Sequence, residues 1–373
     1  MDLSYTPEQT MLRDTLSGYL AGRRTDLTTG PRRGDAVLWR GLVDDIALQF
    51  SLVSEEFGGF GGGPVEVMLI MEELGRALAA APFMHTVLAT TALAAAGSEP
   101  AGNLLRDIAG GRALAVLAHS EYATRFRLEN AGASATPDGS VHRISGRKSV
   151  VTSAPLATHY LVTARIGSGM PSLFLADTAA TGITRDDFDA IDGEAASNIA
   201  LCDVEAYLIG REGDAVGLLE PAIDAAIVAL GAEAVGIMRE MTSQTSAYLR
   251  DRRQFGQPLI SFQVLRHRLA DMAIAIEQAV SMVYMATLAL QDGDARERAA
   301  AASSMKIAVD RQLRFVSQQA VQLHGGMGIT DELAIGRYFK RALVIAASFG
   351  SEDDHFRRYD ALAVQNRTGA DRP

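Results

Sequence analysis

Two stretches of this 373-residue chain hold residues whose types and spacing suit an anionic ligand. The first is Tyr248-Leu249-Arg250-Asp251-Arg252-Arg253-Gln254-Phe255-Gly256-Gln257-Pro258-Leu259, followed by Phe262-Gln263 and Leu269-Ala270-Asp271-Met272. It reads as a helix ending in a cluster of cations, then a turn, then a new helix. Cations beside free backbone amides suit a diphosphate. Cations also favour a helix C-terminus for its dipole alone, so by itself the cluster reads as a solvated helix end. The second stretch is Gln322-Leu323-His324-Gly325-Gly326-Met327-Gly328-Ile329-Thr330. Adjacent glycines let a backbone approach a ligand because no Cβ intervenes. A glycine pair equally serves as a helix cap.

The elements that must position these groups fall into three textures, and the expected fold is an α+β multidomain protein. Residues 1–112 read as an N-terminal helical domain. Pro7-Glu8-Gln9 opens an amphipathic run through Leu12, Leu16 and Leu20, and a second run covers Trp39 to Leu52. A third run, from Val65 to about Leu78, follows the Gly-rich turn Phe57-Gly58-Gly59-Phe60-Gly61-Gly62-Gly63-Pro64. Residues 113–212 change period. Short β-type runs at Ala113–Ala118, Val141–Ile144, Ser149–Thr152, Tyr160–Ala164, Leu173–Ala176 and Ile199–Leu201 suggest a small antiparallel β-barrel or sandwich. Residues 213–373 read as a C-terminal four-helix bundle. Its first helix carries Ile223, Ile227, Leu230, Ala234, Ile237, Met238 and Met241 on one face and breaks at Gln257-Pro258.

Composition removes several functions. The net charge of −10 repels phosphate, so no nucleic-acid partner is expected. One cysteine, Cys202, cannot build a disulfide framework or a multi-cysteine metal site, and its strand-like setting reads as a small buried hydrophobe. Ala77 to Ser98 lacks Asp, Glu, Lys and Arg, but Pro82, His85, Thr86, Thr90, Thr91 and many alanines make it a buried helix rather than a membrane span. Met1-Asp2-Leu3-Ser4-Tyr5 has no basic region followed by an apolar run, so the expected residence is cytoplasmic.

Taken together, the two motif stretches resemble the acyl-CoA dehydrogenase family, which shows Tyr-x-x-x-Arg-x-Gln-Phe-Gly and, further on, Gln-x-x-Gly-Gly-x-Gly. Ser54-Glu55-Glu56-Phe57-Gly58-Gly59-Phe60-Gly61 and Glu72-Glu73-Leu74-Gly75-Arg76 resemble a third family segment. The resemblance spans nearly the whole chain and agrees with the helix–β–helix order. It implies FAD as cofactor, bound at a subunit interface. Arg252 is then expected to face the FAD diphosphate, with Gln254 and Phe255 lining the cofactor. Gln322, Gly325 and Gly326 are expected along the adenosine-diphosphate half. The flavin so served sits in a neighbouring subunit, which implies an oligomer. The resemblance also implies an acyl-CoA substrate and an electron-transferring flavoprotein as acceptor, in fatty acid or steroid degradation.

The chain departs from the family where the chemistry sits. The family's base is a glutamate in a Tyr-Glu-Gly-Thr segment that removes the α-proton of the acyl-CoA. Here Phe349-Gly350-Ser351 aligns with Glu-Gly-Thr, and a phenyl ring accepts no proton. Some family members place the base on the first bundle helix, where this chain has Ala226 with Asp224 and Glu233 nearby. Glu233 reads either as a buried base with a raised pKa or as the structural partner of an arginine, and the structural reading is favoured. His119-Ser120-Glu121-Tyr122-Ala123-Thr124-Arg125 stands where the family has Thr-Glu-Pro-Gly-Ala-Gly-Ser. Ser120 keeps a hydroxyl there, and the Pro-Gly turn is gone. Gly146-Arg147-Lys148-Ser149-Val150-Val151-Thr152 matches a Gly-x-Lys-x-Trp-Ile-Thr segment, with Thr152 kept and the flavin-stacking tryptophan replaced by Val150.

The Phe349–His355 pattern resembles the base-less smaller subunit of α2β2 acyl-CoA dehydrogenases, which act on bulky steroid side-chain or dicarboxylyl-CoAs. The expected function is therefore FAD-dependent acyl-CoA dehydrogenation beside a homologous partner, with this chain contributing the ADP-half contacts. Two alternatives stay open: a self-sufficient homomer using Glu233 as base, and a flavin-free scaffold without activity.

Overall fold

The computed structural model describes residues 5–23, 36–124, 127–330 and 333–370, the side chains of 364–370 excepted. Arg125 lies outside the described residues. In chain order the longer elements are α1 (Pro7–Ala21), α2 (Ala36–Asp44), α3 (Pro64–Ala77), α4 (Phe83–Ala96) and α5 (Glu99–Ala109). Then come β1 (Ala115–Ala118), β2 (Ser134–Asp138), β3 (Val141–Thr152), β4 (His159–Ile166), β5 (Pro171–Asp177), β6 (Ile183–Asp189) and β7 (Ala195–Ile209). The C-terminal part holds α6 (Ala215–Asp251), β8 (Arg253–Gln254), β9 (Gln257–Pro258), α7 (Gln263–Asp292), α8 (Ala295–His324), α9 (Ile335–Ala347) and α10 (Glu352–Ala370). The chain divides into two compact units, one of residues 32–63 and 80–226, the other of 1–31, 64–79 and 227–373.

In the first unit the strands run β1-β4-β2-β3-β7-β5, with β6 on β7, and a β4–β5 pairing closes the path into a barrel. Val116, Ile144, Tyr160, Val162, Phe174 and Val204 fill its core. The sheet is mixed where the sequence suggested an antiparallel one: β1 and β2 both run parallel to β4. The long segment between β1 and β4 supplies the crossover that parallel pairing requires. Two expected runs are one strand, β3, whose ladder with β7 skips between Lys148 and Val151. The Trp39–Leu52 run is also not one helix. Ala47 takes a left-handed backbone at φ +56° and separates α2 from a 3₁₀ turn at Leu48–Leu52. The charge-free stretch forms α4, largely buried, whereas Cys202, expected to be buried, is exposed on β7, where alternate residues face outward.

In the second unit α6 is buried on nearly every side from Ile227 to Met238, as a core helix must be. It crosses α3 backbone to backbone. A Cβ on Gly75 would stand 2.2 Å from Glu233 O, and one on Gly236 would stand 2.0 Å from Glu72 O. Both glycines are therefore required by the crossing. Asp294 caps α8 through a reciprocal pair with Glu297. Beyond the four expected helices, α10 follows α9 after a short turn that carries Phe349.

Candidate functional site

The cationic helix end is the C-terminus of α6. Arg252 follows its last residue, and its N–H still donates to Tyr248 O at 2.9 Å. Arg253-Gln254 then pairs with Gln257-Pro258 as the hairpin β8–β9. Phe255 and Gly256 at its tip both have positive φ, +53° and +79°. A two-residue hairpin loop requires that backbone, which glycine adopts freely and phenylalanine only under strain. The Phe255 ring is 86% exposed and meets Phe262 edge-on. Arg252, Gln254 and Gln322 are exposed, and their side chains make no hydrogen bond or ion pair with another described residue.

The Gly-Gly stretch caps α8. Gly325, at φ +60°, donates its N–H to Gln322 O. A Cβ on Gly326 would meet nothing within 4 Å, so this glycine opens space, whereas one on Gly328 would stand 2.6 Å from Val321 O. The structure brings the two stretches together. The Tyr248 ring stacks on His324 at 4.5 Å between centroids, and Tyr248 Oη donates to His324 O at 3.4 Å. His324 is buried, with Nδ1–H donating to Ala320 O at 2.8 Å. Burial pushes its pKa below the usual imidazole range against the opposing pull of that hydrogen bond.

On the barrel the polar groups turn inward. Lys148, fully buried, reaches Glu121 Oε1 at 2.6 Å, Thr163 O at 2.7 Å and Thr163 Oγ1 at 3.1 Å. Glu121 also accepts from the amides of Gly132 and Ala133 at 2.7 and 3.1 Å. Burial works to raise the Glu121 pKa, but Lys148 and the two amides outweigh it and hold it below the usual carboxylate range. Ser120 O accepts from Ser149 N at 2.8 Å. Val150 sits at the skip in the ladder with φ +53°, its N–H bound to Asn198 Oδ1 and its side chain 57% exposed. Thr152 Oγ1 lies 3.0 Å from His85 Nε2 of α4.

Around the Phe349 turn most polar groups are engaged within the fold, while the exposed Asp353 side chain has no partner among the described residues. Phe349 and Gly350 have φ of +57° and +112°. His355 Nε2 donates to Phe349 O at 3.2 Å, while Nδ1 faces Ser303 Oγ at 3.3 Å. Lys306 donates to Ile345 O at 2.7 Å, at the end of α9, and pairs with buried Asp310 at 2.8 Å. Burial lifts Asp310 to a pKa of about 6 despite that lysine. Glu352 is held by Arg311 at 2.7 Å, and Asp354 is held by Ser351 and Arg357. Glu233, the other candidate, is buried on α6 and bound at both oxygens by Arg341 of α9, at 2.6 and 2.8 Å. The planar guanidinium holds the carboxylate in a bidentate pair inside the helix packing, the arrangement of a structural ion pair. Ala226 and Asp224 are both fully buried on α6.

Sequence reasoning missed the inward partners: His85, His324, Lys306 and His355. Three of them lay in stretches the sequence marked, His85 in the charge-free run, His324 before the Gly-Gly pair and His355 at the end of the Phe349 pattern, whereas Lys306 left no signal.

Comparison with known proteins places these features in a family. Residues 6–111 match the acyl-CoA dehydrogenase N-terminal domain, and residues 222–358 match the acyl-CoA dehydrogenase C-terminal domain. The chain is similar to acyl-CoA dehydrogenase IpdE2 of Mycolicibacterium smegmatis, 28% identical over 88% of each chain. It is similar to the solved Tcur3481-Tcur3483 steroid ACAD G363A variant, with 30% identity, a TM-score of 0.86 and coverage of 97% and 99%. The ChsE4-ChsE5 complex from Mycobacterium tuberculosis shares the fold, with a TM-score of 0.82 at 24% identity over the full length of both chains. The chain belongs to the acyl-CoA dehydrogenase family, oxidoreductases that act on CH–CH bonds.

Proposed function

We propose that this chain is the subunit without a catalytic carboxylate in a heteromeric, FAD-dependent acyl-CoA dehydrogenase. In that α2β2 assembly Arg252, Gln254, Phe255, Gln322, Gly325 and Gly326 hold the ADP half of an FAD whose ring lies in the homologous partner. The cradle fits such a group: its polar side chains have no partner among the described residues, and a Cβ on Gly326 would meet nothing within 4 Å. When bound, FAD supplies the hydride acceptor. Arg252 neutralises diphosphate charge, and the glycine turn admits the backbone.

The observation that carries the reading is the Phe349 turn. It stands where the family's glutamate aligns; of the carboxylates that follow, Glu352 and Asp354 are held by cations or a cap and Asp353 is exposed to solvent. The ring half fits poorly, since Val150 offers no aromatic face and the Thr152 hydroxyl is engaged by His85. The homomeric alternative draws no support from Glu233, which Arg341 occupies. Exposed Val264, Ile274 and Met285 on α7 favour a covering partner chain. The likeness to a steroid acyl-CoA dehydrogenase favours a bulky acyl-CoA, such as a steroid side chain or a dicarboxylyl-CoA. Electron-transferring flavoprotein is the acceptor under this reading. Turnover tests it: the chain alone, supplied with FAD, should leave acyl-CoAs unoxidised, and the co-expressed pair should oxidise them. Equal turnover by the chain alone would overturn it.

A further inference from the structure

The two segments of the cradle come from different helices, so something must set the spacing between them. Tyr248 lies one turn before Arg252, whose N–H is anchored on Tyr248 O. His324 is the last residue of α8, directly before Gly325. Their rings stack at 4.5 Å with 29° between planes, and the Tyr248 hydroxyl bonds the His324 carbonyl at the helix cap. The stack thus touches each segment within a turn of its ligand-facing groups.

We infer that the Tyr248–His324 stack is the brace that spaces Arg252 from the Gly325–Gly326 turn, which makes His324 a positioning residue for the ADP half of a bound dinucleotide. This rests on the cradle reading above. The ring is fixed before any ligand arrives: it is buried, and Nδ1–H is tied to Ala320 O. Burial favours its neutral form, so it acts as a stacking surface and not as a charge. A flexible side chain at this position would leave the two segments free to drift, and each binding event would then have to order them.

Two substitutions separate the ring from the hydrogen bond. His324→Gln keeps a donor for Ala320 O and loses the ring. His324→Phe keeps the ring and loses the donor. The probe is FAD retention by the co-expressed complex, read by flavin absorbance during dialysis, together with competition by ADP. His324→Gln should weaken both about five- to tenfold, and His324→Phe should stay within about twofold of wild type. From the other side, Tyr248→Leu should follow the glutamine variant and Tyr248→Phe the wild type, which decides the matter if one variant fails to fold. Wild-type binding by His324→Gln, or tighter binding than His324→Phe, would overturn the brace. A wild-type complex that takes up no FAD and shows no ADP competition would remove the cradle reading and the brace with it. A wild-type complex that binds while all four variants bind alike would remove the brace alone.

Discussion

The cradle at the end of α6 and the Phe349 turn lie in the same compact unit and treat their polar groups in opposite ways. At the cradle, Arg252, Gln254 and Gln322 stand exposed with no partner among the described residues. At the turn, His355, Lys306, Asp310 and Glu352 are all engaged within the fold. The barrel behaves like the turn, through Lys148–Glu121 and Thr152–His85. Exposed polar groups without internal partners remain available to a ligand. Groups satisfied inside the protein contribute to stability, and recruiting them for binding would cost their existing bonds. One stretch of the chain leaves polar side chains open to solvent, while others tie theirs into the scaffold.

The sharpest way to break that contrast is to treat a closed pair as functional. Arg341→Leu strands Glu233 as a buried carboxylate and should cost about 3–5 kcal/mol in urea unfolding. Glu233→Gln should lower the urea midpoint and leave turnover of the complex unchanged. Loss of turnover at wild-type stability would make Glu233 a base. On the open side, Arg252→Ala removes charge-assisted bonds worth about 1.5–3 kcal/mol, so FAD affinity of the complex should fall about ten- to a hundredfold with no change in the melting temperature of the FAD-free chain.

Most of the helical frame was legible in the sequence, because long 3.6-residue periods leave few alternatives, but α6 ends at Asp251, ahead of the break expected at Gln257-Pro258, because the β8–β9 hairpin turns the chain first. The Arg252 and Gly325 stretches were legible as motifs for the same reason that they are exposed: local sequence sets their turns. The barrel was less so. Ser134–Asp138 and Ile183–Asp189 are strands with mostly exposed or partly exposed residues, and they carry no apolar run to announce them. The inward partners were hidden because Thr152–His85 and Lys148–Glu121 join residues far apart in sequence, and only tertiary packing pairs them. Val150 and Phe349 take positive φ although β-branched and bulky side chains disfavour it, so no local rule predicts either turn.

Smaller effects sharpen the closed side. The Glu121 pKa is depressed in the folded state, so its contribution to stability is fully present above about pH 4.5, its ordinary value. It is lost as pH falls through the folded pKa. The stability gap between wild type and Glu121→Gln should therefore be constant at neutral pH and close in acid, as measured by urea unfolding across pH 2.5–7. Smallest of all, His85→Leu should leave the flavin content and visible spectrum of the complex unchanged. A shifted flavin spectrum would place an isoalloxazine ring against Thr152 of this chain.

Flavin stoichiometry measured together with the mass in solution tests the central claim most directly. The chain is purified alone and co-expressed with a homologous acyl-CoA dehydrogenase subunit. About one FAD per two chains is expected, found in a mixed tetramer and absent from the chain alone. One FAD per chain in a homomer of this protein would contradict it.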